Sequence, residues 1–98
     1  MAVAVPDTVQ AVGTETEEDR VWHVVIINDD RVLFAVVIMA LMQVIGMSHA
    51  QAERCAQQVH REGRAVAMEG TRGECERVVS ALLSLGVPSD VAQAGGPT

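Results

Sequence analysis

Val21-Trp22-His23-Val24-Val25-Ile26-Ile27-Asn28-Asp29-Asp30, answered much later by Val59-His60-Arg61-Glu62-Gly63-Arg64-Ala65, decides the reading of this chain. The first run is largely β-branched and ends in an amide and two carboxylates. It reads as a strand buried on at least one face, with strong polar groups at its exit. Leu33 to Ile45 then reads as a helix, with Gly46 just past its end. Ser48-His49-Ala50-Gln51 is a capping box that opens a second helix. That helix runs through Arg61 and Glu62 and stops at Gly63, which takes a left-handed cap at little cost.

Outward from there, Arg64 to Glu69 is a short strand broken by Gly70, and Thr71-Arg72-Gly73-Glu74 is a second capping box. The third helix carries Cys75, Val78, Val79, Leu82 and Leu83 at three-four spacing and ends at Gly86. Val87 to Ala92 reads as a last strand, weakened by Pro88. The order is β-α-α-β-α-β. The expected fold is α+β, a small three-stranded antiparallel sheet with three helices packed on one face. Residues 1–20 hold Asp7, Glu15, Glu17, Glu18 and Asp19 against Arg20, with no sustained period. Such a segment cannot bury enough apolar area to offset its ordering entropy and reads as a disordered acidic extension. The folded domain spans 21–94, and 95–98 should fray.

The first two helices have similar lengths, roughly 18–22 Å at 1.5 Å per residue. The short Gly46-Met47 connection makes them antiparallel neighbours. The end of the second helix therefore returns beside the start of the first, and His60 comes back to Asn28 and Asp29. Asp29 offers charge for an ammonium group, Asn28 its side-chain carbonyl and His60 a neutral ring nitrogen. Phe34, Val37, Ala56 and Val59 lie one or two turns away as apolar walls. Acceptors beside apolar surface suit a ligand cationic at one point and greasy beside it, such as a free protein N-terminus with a bulky first side chain. Blander roles fit the same residues: Asp29 or Asp30 as a cap of the first helix, His60 as a satisfied surface or core histidine, Phe34 as core.

Composition narrows the function classes. A net charge of −6 argues against nucleic acid, whose recognition is dominated by Lys and Arg on phosphates. Ninety-eight residues minus the tail bury only about 60–65% of their unfolded surface, enough for a shallow pocket but not a deep enclosed active site. Cys55 and Cys75 have no zinc-ligand spacing and fall among small apolar residues, so they read as buried free thiols in a reducing cytosol. No cofactor is called for. The apolar run from Val32 to Met47 contains Gln43 and is too short to span a membrane. No signal peptide is visible.

The pairing of Asn28-Asp29-Asp30 with Val59-His60, Gly63 and Ala65 resembles the Clp-protease adaptor family, ClpS. The likeness runs ungapped from Trp22 through Val59–Ala65 and on to Gly70-Thr71, and it covers about two thirds of the chain. Its last portion looks most like the short cyanobacterial or plastid-type members. The resemblance implies that Asn28, Asp29 and His60 hold a substrate's α-amino group. It makes Phe34 the gatekeeper that rejects β-branched first residues, with Val32, Val37, Ala56 and Val59 completing the side-chain pocket. It further implies delivery of N-degron substrates to a Clp AAA+ unfoldase through that partner's N-terminal domain, with the tail engaged during delivery. The setting implied is a bacterial cytosol or plastid stroma. The chain departs from the family pattern in several places. Val32-Leu33 replaces a common Thr-Pro, and Ala56 stands where Met is frequent. Gly73 and Val78 replace a carboxylate and a lysine used in docking. Ala35, Met39 and Met42 stand where polar residues are usual.

Three functions are compatible with these residues: a degron adaptor, a scaffold that keeps the fold but binds partners through its apolar first helix, and a small hydrolase using His60 with Asp29. The last lacks a nucleophile on the right helical face, since Cys55 lies five residues before His60. A non-enzymatic adaptor is the expectation.

Overall fold

The computed structural model describes residues 20–94, so the acidic extension up to residue 19 and the fraying expected at 95–98 lie outside the described residues. Strand β1 (Trp22–Ile27) is central, flanked by β2 (Arg64–Gly70) and β3 (Ser89–Gln93) in the order β2-β1-β3, both pairings antiparallel. Helices α1 (Phe34–Ala40), α2 (His49–Glu62) and α3 (Arg72–Ser84) build the second layer. Val24 and Ile26 of β1 are fully buried and meet Leu41, Ala52, Cys55, Val59, Cys75, Val79 and Leu82 in one core. The α+β sandwich read from the sequence is the fold observed.

Local chemistry sets the element boundaries. Ser48 Oγ accepts from the Gln51 N–H at 3.1 Å while Gln51 Oε1 accepts from the Ser48 N–H at 3.0 Å. Thr71 and Glu74 repeat the exchange at 3.1 and 2.9 Å. Each reciprocal pair satisfies two donors that a helix start otherwise leaves open. Gly63, at φ +89°, ends α2 in the left-handed region, and its N–H bonds back to the Val59 carbonyl at 2.8 Å.

Several features depart from the sequence reading. The first helix is not uniform: after Ala40 it widens into a π-helical turn over Leu41–Ile45. An apolar pattern that goes all round a helix leaves its phase unspecified. The wider turn coexists with burial of Ala40 and Leu41 and partial burial of Val44 and Ile45 against the core. Neither aspartate caps α1, whose N-cap is Leu33 without any side-chain bond. The β1–β2 register slips between Val24, opposite Met68, and Val25, opposite Val66, leaving Ala67 as the extra residue of a bulge. The last strand begins at Ser89 rather than Val87, because the Val87 N–H bonds back to the Leu82 carbonyl at 2.9 Å and Pro88 has no N–H for the ladder. The Pro88 carbonyl still accepts from the Ile27 N–H at 3.0 Å.

Candidate functional site

Where β1 ends, its backbone is clamped from both sides. The Ile27 N–H goes to Pro88 and the Asn28 N–H to the Gly63 carbonyl at 2.9 Å. The second bond fastens the end of α2, whose last turn carries His60, to the end of β1. A turn follows, closed by the Val32 N–H on the Asp29 carbonyl at 2.9 Å, and delivers the chain into α1. The three segments enclose an open cavity of about 380 Å³. Asn28, Asp29, Val32, Phe34, Val37, Ala56, Val59 and His60 all line it, joined by Ile27, Asp30, Leu33 and Pro88. The eight residues singled out in the sequence therefore share one concavity.

Its interior is apolar. Ala56 and Val59, 2% and 4% exposed, present the buried side of α2, while Val37 is half-buried on α1. Phe34 also lines the cavity and, at 42% exposed, is not a core residue.

The polar end is ordered by its own hydrogen bonds. Asn28 Nδ2 donates to Asp30 Oδ1 at 3.1 Å. A carboxylate only accepts, so the NH₂ end of the amide must face it and the Asn28 carbonyl oxygen is left as an acceptor. Asp30, assigned no firm role from sequence, thus orients Asn28. Asp29 is engaged by Arg31, a residue that sequence reasoning missed. Asp29 Oδ1 accepts from the Arg31 N–H at 2.9 Å and from Nε at 3.1 Å, and Oδ2 accepts from Nη2 at 3.0 Å. These bonds from Arg31 hold the Asp29 carboxyl below the usual carboxylate range and raise the guanidinium in turn. Each carboxylate oxygen accepts about two bonds, so Oδ2 keeps one place for a further donor. Among the described residues, His60 has no hydrogen-bond partner within the chain, and it is exposed and lines the same cavity as Asp29.

Pro88 and Arg31 gave no local signal. Pro88 reaches the site only because β3 pairs with β1, and Arg31 looks like any solvated charge in a turn. The two cysteines are buried and free, and burial pushes both thiols up, for Cys75 with help from Glu74. Neither is poised as a nucleophile, and neither lines this cavity. Among the described residues, no helix is long and apolar enough to cross a membrane.

Comparison with known proteins places this geometry in a family. Residues 17–87 match the family model described as ATP-dependent Clp protease adaptor protein ClpS. The ATP-dependent Clp protease adapter protein ClpS of Corynebacterium glutamicum (strain R) is 31% identical over 93 residues, 95% of this chain and 93% of the relative. The protein of the same name from Nocardia farcinica is 34% identical over 86 residues, 88% of this chain and 81% of that one. The solved structure of Agrobacterium tumefaciens ClpS2 bound to L-phenylalaninamide superposes with a TM-score of 0.74 at 24% identity, over 76% of this chain and 96% of that one. With its sandwich, its convergent cavity and these relatives, the chain belongs to the ClpS family of Clp protease adaptors, which are not enzymes.

Proposed function

We propose that this chain captures proteins by a free N-terminus bearing a bulky hydrophobic first residue and delivers them to a Clp AAA+ unfoldase, docking on that partner's N-terminal domain. The observation that carries the reading is the junction of two chemistries in one cavity. Asn28, whose carbonyl is left as an acceptor, Asp29 and His60 line it together with the apolar Phe34, Val37, Ala56 and Val59. In this reading the α-ammonium donates to Asn28, Asp29 and His60, while the first side chain enters past Phe34, with Val32 at the mouth. Binding is non-covalent and no bond is broken. The Agrobacterium relative bound to L-phenylalaninamide supports the reading, because that ligand pairs a free α-amino group with a bulky apolar side chain. Free, buried Cys55 and Cys75 fit a reducing cytosol.

Titration of peptides beginning with Leu or Phe, each beside its N-acetylated form, tests the proposal. Acetylation, Asp29→Ala or His60→Ala should each weaken binding at least about tenfold, the loss of one charge-assisted bond of about 1.4 kcal/mol or more. Equal affinity for free and acetylated peptides would sink it. The alternative is a scaffold that binds the unfoldase or another protein without degron recognition. It draws on the exposed Ala35, Met39 and Met42 of the first helix.

A further inference from the structure

Arg31 takes part in the site in a way that amine capture alone does not use. It grips Asp29 with one edge of its guanidinium, through Nε at 3.1 Å and Nη2 at 3.0 Å. A guanidinium carries five N–H donors in a rigid plane, and this edge consumes two of them. Of the remaining three, one on Nη1 and one on Nη2 form the neighbouring edge, and the second on Nη1 points back along the side chain. Among the described residues they have no partner, and the side chain is 90% exposed. Asp30, next in sequence, is occupied with Asn28 at 3.1 Å. The free edge therefore faces solvent as a planar, two-pronged donor, held in place by Asp29.

The charge balance at the mouth leads further. When an α-ammonium takes the remaining place on Asp29 Oδ2, two cations share that carboxylate. Asp30, the other carboxylate lining the cavity, turns Oδ1 to Asn28, so among the described residues the outer edge of the Arg31 guanidinium has no anion in contact. On the reading above, the substrate's second residue begins one peptide unit further on, about 3.8 Å between Cα atoms. Arg31 does not itself line the cavity, but its guanidinium bonds Asp29, which does, at 3.0 Å, and so sits at the rim within reach of that residue. We propose that Arg31 forms a second subsite of this adaptor, one that binds a carboxylate on the residue following the N-terminal hydrophobic residue. Asp29 aligns the guanidinium, the free edge takes the substrate carboxylate bidentately, and a four-charge chain of ammonium, Asp29, Arg31 and substrate carboxylate closes without Arg31 having to move. The preferred ligand is a free N-terminus reading hydrophobic, then acidic. This proposal rests on amine capture and adds the second position.

The expectation runs against the overall field, since a chain of net charge −6 repels acidic peptides at long range. A preference for acid at the second position must then come from a local contact. The test uses the full chain and three peptides identical except at that position, Leu-Glu, Leu-Gln and Leu-Lys, with acetylated Leu-Glu as control. Affinities are read by fluorescence anisotropy at low and high salt. Leu-Glu should bind about two- to fivefold more tightly than Leu-Gln, the range for an exposed ion pair, and Leu-Lys more weakly than both. The spread should shrink in high salt. Arg31→Gln should collapse the Glu-to-Gln ratio to one, and Arg31→Glu should invert the order in favour of Lys. If free peptides bind, acetylated ones do not, and Glu and Gln bind alike in the wild type, the Arg31 subsite is overturned while amine capture stands. An acid preference that survives Arg31→Gln also overturns it. If no free peptide binds better than its acetylated form, amine capture and the subsite fall together.

Discussion

The backbone N–H of Asn28 donates to the carbonyl oxygen of Gly63 at 2.9 Å, tying the exit of β1 to the residue that ends α2. Through this bond a strand terminus and a helix terminus far apart in sequence become one rim. The amide that orients one acceptor and the helix turn that carries His60 are thereby referred to the same backbone atoms. Gly63 can serve in this way because it sits at φ +89°, where a side chain strains the backbone, although no atom would meet a Cβ within 4 Å.

Two glycines should respond to alanine with opposite signs. Gly63→Ala costs about 1 kcal/mol, the penalty of a left-handed residue with a side chain. The corresponding fall in Tm is about 4–8 °C for a domain of this size. Peptide affinity should fall with it, since the Asn28 bond is displaced. Gly73 lies in the first turn of α3, and a Cβ there would meet only Arg77 Nη1 at an ordinary 3.6 Å. Gly73→Ala should stabilise the fold by about 0.5 kcal/mol and leave peptide binding alone. Thermal melts of both variants decide it, and a Gly63→Ala protein as stable as wild type would refute the strain argument.

Phe34 is expected to set which first residues enter. It is 42% exposed and lines the cavity, and in the proposed binding mode a branch at Cβ of the first residue would meet its ring. Val- and Ile-initiated peptides should bind poorly to the wild type. Phe34→Ala should raise the Ile-to-Leu affinity ratio by about tenfold, the scale of one methylene in an apolar pocket. An unchanged ratio would assign Phe34 to packing and remove it from selectivity.

The Asp29–Arg31 pair predicts a pH response with a definite sign. Hydrogen bonds from Arg31 lower the Asp29 value below 3.8, its ordinary one. A depressed carboxylate stabilises the folded state fully above the unfolded value, and that contribution is lost as pH falls through the lower, folded value. The Asp29 carboxyl carbon should therefore titrate below 3.8 by NMR, and Arg31→Gln should move its midpoint upward. A midpoint that Arg31→Gln leaves in place would mean that the pair is not formed in solution.

Met39, half exposed on α1, tests what the apolar outer face of that helix is for. Ala35, Met39 and Met42 are all exposed, and contiguous apolar surface of this kind marks a contact. Met39→Glu should fold, bind peptide as the wild type does, and lower self-association or delivery to the unfoldase. Loss of the fold would make Met39 a core residue, contrary to its exposure. Analytical ultracentrifugation and a degradation assay with a Leu-initiated substrate read the two outcomes.

Local sequence by itself determined the elements and their ends. Ser48 with Gln51, Thr71 with Glu74 and the left-handed Gly63 are short-range chemistry, complete within four residues, and each stands where its pattern placed it. The meeting of His60 with Asn28 and Asp29 was legible too, because two helices of similar length joined by a tight turn must return to their origin. Only the tertiary structure decided the rest. The π-helical turn at Leu41–Ile45 depends on packing, since a helix apolar on every side has no preferred phase until a core selects one. Pro88 became a cavity wall through the pairing of β3 with β1, a non-local event with no local signature. Arg31 became part of the site because a turn folds its guanidinium back onto Asp29. Which of several nearby partners a long, exposed side chain takes is fixed by three-dimensional geometry and not by spacing along the chain.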